Sequence, residues 1–148
     1  MNTGASARER YERGRTLRQA KMYHQALVDL RHATQDPNYA GQAHTQVALC
    51  LRAMGRHEDA VAALRYALNS TSLSENESVY VLYLLGQSLE SLGRHGEALE
   101  AYNWVRHEDS DFMDVESRIK QLCGVSQSVL TRDLSSIWSH LLRMVGKS

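Results

Sequence analysis

GRHEDAVAALRYAL at residues 55–68 and GRHGEALEAYNWV at residues 93–105 align without a gap, setting Gly55 on Gly93, Ala60 on Ala98 and Leu64 on Tyr102. A chain that repeats its own pattern at this length repeats a supersecondary unit. A third copy lies upstream in KMYHQALVDLRHA at 21–33, where Ala26 stands 34 residues before Ala60 and Leu30 stands 34 before Leu64. Ala60 to Ala98 is 38 residues, and the four extra fit the polar run Asn69–Asn76, because lengthening a loop costs little closure entropy. Within the copies apolar residues recur at helical spacing, as in Ala60, Val61, Leu64, Ala67 and Leu68, and again in Leu82, Leu85, Leu89 and Leu92. No stretch reads as a strand. One proline, Pro37, and nine glycines leave room for long helices with short turns between them. Turns are expected at Lys21–Tyr23, Asp36–Asn38, Gly55–His57, Asn69–Asn76 and Gly93–His95. Ser74 with Glu77 forms a capping box for the helix that follows, and Asp111 with Asp114 is a weaker start of the same kind.

Small residues recur at Gly14, Ala48 and Gly86 and at Ala26, Ala60 and Ala98. Around them stand Leu17, Tyr23, Leu30 and Ala33, then Leu51, Gly55, Leu64 and Ala67, then Leu85, Leu89, Gly93, Tyr102 and Val105. Over residues 8–107 this pattern resembles the tetratricopeptide repeat family, in which antiparallel helix pairs recur every 34 residues. The resemblance implies an all-α, right-handed superhelical stack of three helix pairs, at about 8–38, 41–72 and 79–110. The small positions fall where the two helices of a pair cross closely and a larger side chain would hold them apart. Residues 1–7 are expected as a flexible lead-in. A capping helix at 111–122 places Val115, Ile119 and Leu122 on one face and Glu116, Arg118, Lys120 and Gln121 on the other, with Gly124 ending it. The last stretch, 126–148, reads as an amphipathic helix with Leu130, Leu134, Ile137, Trp138, Leu141, Leu142, Met144 and Val145 on one stripe. Trp138 is expected to dock near Val115, Ile119 and Leu122, within the same chain.

In stacks of this family the first helix of each pair lines a concave groove. The resemblance assigns Arg8, Tyr11, Arg15 and Arg18 to that groove from the first pair, Gln42, Thr45, Leu49 and Arg52 from the second, and Tyr80, Tyr83, Gln87 and Glu90 from the third. Arginine and tyrosine are favoured in binding hot spots because they combine contact area with directed hydrogen bonding. The chaperone-binding subclass clamps a terminal carboxylate with lysines, asparagines and an arginine. The matching positions are Tyr11, Arg15, Gln46, Tyr80 and Leu84, and four of them lack the needed charge or amide, which disfavours chaperone tails. The implied function is a non-catalytic adaptor that binds an acidic protein or peptide in the groove. A self-assembling scaffold and a regulatory subunit of a larger enzyme are the alternatives.

Composition bounds these readings. At 148 residues, one compact unit is expected. Seventeen basic residues balance seventeen acidic ones, which removes the bulk field of a nonspecific nucleic-acid binder. The charge is nonetheless blocked: residues 1–35 carry seven Arg/Lys against three Asp/Glu, and 72–117 carry two against ten. The start of the chain has no apolar segment of the secretory kind, and the longest apolar run, Val79–Leu85, is far short of the roughly 20 residues a membrane helix needs. A membrane is therefore not the expected partner. Two cysteines, Cys50 and Cys123, are too few for a disulfide framework and fit a reducing cytoplasm. His57 and His95 occupy equivalent repeat positions, where a packing role is expected, and no HExxH or paired Cys/His spacing calls for a metal. No phosphate-binding loop, dinucleotide fingerprint or nucleophile elbow is present, so neither cofactor nor catalysis is expected.

Overall fold

The computed structural model describes residues 4–125, which form seven helices and no strand: α1 Ala7–Gln19, α2 Tyr23–Ala33, α3 Ala40–Ala53, α4 His57–Asn69, α5 Glu75–Ser91, α6 His95–Glu108 and α7 Val115–Val125. The chain is all-α. Contrary to the single unit that length leads one to expect, it divides into two compact units, one through Leu73 and one from Ser74. The division falls inside Asn69–Asn76, where seven polar residues surround Leu73 and little apolar surface is available to bury. In the first unit α1 packs on α2, α2 on α3, and α3 on α4, with a lighter contact between α1 and α3. In the second, α5 packs on α6 and α6 on α7.

The helix pairs close through three turns of one kind. Gly55 and Gly93 adopt left-handed φ values of 75° and 73°, and Lys21, at the corresponding place in the first copy, does so at 62°. In each, two amides reach back over the last helical turn: Lys21 N to Arg18 O and Met22 N to Leu17 O, Gly55 N to Arg52 O and Arg56 N to Leu51 O, Gly93 N to Glu90 O and Arg94 N to Leu89 O. These paired hydrogen bonds satisfy carbonyls that a helix end would otherwise leave without partners. Tyr23, His57 and His95 then open α2, α4 and α6.

Close crossing explains the small residues. A Cβ added at Gly14 would lie 2.5 Å from Leu30 Cγ, and one at Gly86 would lie 2.5 Å from Tyr102 Cε1. Ala26, Ala48, Ala60 and Ala98 are wholly buried. Gly41 is a further close approach that the repeat pattern does not single out: Ser70, Ser72 and Leu73 fold back over the start of α3, and the Ser72 hydroxyl accepts from Gly41 N at 2.8 Å.

Capping sets where helices begin. Ser74 and Glu77 close a capping box on α5, and Ser6 with Glu9 closes another on α1, so ordered structure starts inside the expected lead-in. The capping helix is displaced from its expected span of 111–122. Asp109 accepts from Asp111 N at 3.1 Å, and Met113 takes a left-handed φ of 48°, so residues 109–114 turn instead of coiling and α7 starts at Val115. Gly124 lies within α7 and does not end it. Val115, Ile119 and Leu122 are buried, and α7 packs on α6. The amphipathic stretch 126–148, with its expected docking of Trp138, lies outside the described residues.

Candidate functional site

In the first unit the side chains assigned to the groove from α1 and α3 are gathered on neighbouring helices. The Tyr11 ring stands 5.9 Å from that of Tyr39, which precedes α3, and the Arg15 guanidinium lies 5.7 Å from the Tyr11 centroid. Arg15 also reaches Glu12 at 3.5 Å, a weak exposed pair. Arg18 Nε donates to Gln46 Oε1 at 2.6 Å and so ties α1 to α3. Arg8 is exposed, while Leu49 and Arg52 are half-buried. Gln42 is turned to the loop, donating to Ser72 O at 2.8 Å. Thr45 departs from the expected set: it is buried, and its hydroxyl donates to Gly41 O within its own helix.

A brace behind this face escaped the repeat pattern. Asp29 on α2 is only 5% exposed, and it accepts from Arg13 Nε and Nη2, both at 2.6 Å, and from Arg10 Nη1 at 3.3 Å. The Arg13 hydrogen bonds hold the Asp29 carboxyl below the usual carboxylate range. The available signal was an acidic residue at a core position of α2, with arginines on the preceding helix to neutralise it.

In the second unit most of the expected groove residues are engaged internally. Tyr80 is half-buried, but Tyr83 is buried, with its ring 5.5 Å from Phe112 and 5.9 Å from Tyr102. Its hydroxyl donates to Asp114 Oδ1 and accepts from Gln87 Nε2 at 3.2 Å and Arg118 Nε at 3.2 Å. Glu90 accepts from Arg118 Nη1 at 3.1 Å and from the Tyr102 hydroxyl at 2.8 Å. Burial and these contacts push the Tyr83 and Tyr102 phenols above the ordinary tyrosine range, while the Tyr83 hydrogen bond lowers the Asp114 carboxyl. Tyr83, Gln87 and Glu90 therefore form a polar joint with Asp114 and Arg118. They do not stand as a free aromatic and amide surface, because Asp114, just before α7, and Arg118 within it bring a carboxylate and a guanidinium to Tyr83 and Glu90.

Among the described residues no group of histidine, cysteine, aspartate and glutamate side chains is arranged to hold a metal, and no helix is long and apolar enough to cross a membrane. Cys50 is buried, which pushes its thiol up, and Cys123 is exposed.

No curated protein matches the chain. Residues 79–103, running from α5 into α6, match the family model described as tetratricopeptide repeat. Those residues hold the Gly86–Tyr102 crossing and the left-handed Gly93 turn, which are the two features that shape the pair. The α5–α6 pair thus carries a tetratricopeptide repeat, and such repeats are protein–protein interaction modules.

Proposed function

We propose that the protein is a non-catalytic cytoplasmic adaptor, and that the α1–α3 face of its first unit receives an acidic segment of another protein. The arrangement of Tyr11, Arg15 and Arg18 carries this reading. The Arg15 guanidinium stands against the Tyr11–Tyr39 pair, and the same helix carries Arg18, held by its 2.6 Å bond to Gln46, and exposed Arg8. Guanidiniums bind carboxylates through paired charge-assisted hydrogen bonds, and the tyrosines add stacking area that needs little ordering. The equivalent residues of α5 favour the same choice of face, since Tyr83 and Glu90 are engaged by Asp114 and Arg118, and Gln87 donates to the Tyr83 hydroxyl.

A glutamate decapeptide titrated into the isotopically labelled protein tests this. Amide shift changes confined to α1 and α3, weakened by salt and lost in Arg8→Glu/Arg15→Glu, are expected. Shifts that avoid α1, or that persist in the double variant, would assign the acidic segment elsewhere.

A further inference from the structure

The first unit has a cleft outside the α1–α3 face, bounded by α2, α3 and α4 and enclosing about 250 Å³. Its floor includes the apolar side chains of Val47 and Leu51. Earlier on α3, His44 stacks on Tyr66 with centroids 5.3 Å apart and planes at 19°, yet Tyr66 remains 63% exposed. Arg31 and Arg56, both exposed, border the same space. Arg56 contacts Asp59 through Nε and Nη2 at 2.9 and 2.8 Å, an arrangement that leaves further guanidinium donors available.

The turn between α6 and α7 has the opposite character. Met113 is 64% exposed and holds a left-handed φ of 48°, so an apolar side chain is kept in water on a backbone that non-glycine residues rarely adopt. Glu108, Asp109 and Asp111, all exposed, precede it in the chain. Residues 4–73 carry ten arginines and lysines against six acidic residues, and residues 74–125 carry four against ten.

We propose that Met113 of one copy inserts into the α2–α3–α4 cleft of a second copy, with Asp109 and Asp111 facing Arg31 and Arg56. The cleft supplies what the turn lacks. An unbranched thioether adapts to an irregular apolar recess and packs favourably against ring edges such as those of His44 and Tyr66. The flanking carboxylates meet guanidiniums of opposite charge, which fixes the direction of insertion. The contact joins different surfaces on the two copies, so it is heterologous. It uses none of the residues assigned to the acidic segment on α1 and α3, and it stands or falls separately from that assignment.

Sedimentation of the full chain over a concentration series tests it. At low salt the average mass should rise with concentration, and the rise should shrink in 1 M salt, where charges are screened within about 3 Å. Met113→Gly suits the left-handed backbone while deleting the side chain, and it should weaken association at least tenfold without lowering the unfolding temperature. Arg31→Glu should weaken association similarly, and adding Asp111→Arg to it should restore it. A protein that stays monomeric at every concentration would overturn the proposal, as would association indifferent to Met113→Gly or a charge swap that restores nothing.

Discussion

At the crossing of α1 with α2, Gly14 lies against Leu30, whereas at the crossing of α5 with α6, Gly86 lies against Tyr102. Both partners are wholly buried, but Leu30 ends in methyl groups, while Tyr102 carries a hydroxyl to Glu90, where Arg118 of α7 also binds. The polar brace of the first pair comes from another place, with Asp29 of α2 reaching back to Arg10 and Arg13 of α1. One backbone plan thus accepts two kinds of tie. In the first pair the tie stays between the two helices and leaves Arg8, Arg15 and Arg18 to other contacts. In the third it links α5 and α6 to the following helix and absorbs Tyr83, Gln87 and Glu90. Two helices with matching repeat positions therefore offer a ligand quite different surfaces.

The sharpest test of that contrast is a pair of glycine substitutions. Gly86→Ala should cost about 2 kcal/mol, because its Cβ would lie 2.5 Å and 2.8 Å from ring atoms of Tyr102, whose hydroxyl is held by Glu90, and overpacking outweighs the gain in helix propensity. Gly14→Ala should cost about 1 kcal/mol, since Leu30 has no hydrogen bond to hold it in place. Denaturant unfolding measures both, and equal losses would erase the distinction.

Next in size is the brace. Asp29→Asn should lower stability by about 1.5 kcal/mol at neutral pH by removing a charged acceptor from two arginines. The carboxyl is held below its ordinary value in the folded protein. Its stabilisation is therefore complete above the ordinary carboxylate pKa of about 4 and is lost as the pH falls through the lower folded value. Urea titrations should show the difference between wild type and Asp29→Asn shrinking as the pH is lowered below about 4. A difference that stays constant or grows would place the brace's contribution in packing instead.

The smallest effects concern the turns. Lys21→Gly should stabilise by about 0.5 to 1 kcal/mol, relief of left-handed strain being partly offset by the freer unfolded chain. Gly93→Ala should destabilise by about 1 kcal/mol through backbone strain alone, because nothing lies within 4 Å of an added Cβ. Thermal unfolding of the two variants should shift in opposite directions, and shifts of the same sign would break the equivalence of the two turns.

How much of this was legible depends on the range of each interaction. Small residues at Gly14, Gly86, Ala26, Ala60 and Ala98, together with Gly55 and Gly93 after their helices, announce close-crossing pairs because helix periodicity and turn chemistry act over a few residues. The same locality made the Ser74–Glu77 box readable. The shifted start of α7 was harder, since an Asp109 turn and a left-handed Met113 override a helical pattern that begins at Asp111. The groove was legible only as a set of positions. Tyr83 meets Asp114 and Arg118 from 31 and 35 residues away, and Arg118 meets Glu90 across 28. The sequence by itself determined the helix pairs, their crossings and their turns, because those rest on residues within one repeat. Which arginines and tyrosines remain available for a partner was decided only by the tertiary structure, because the exposure of a side chain depends on whatever distant residue folding brings against it.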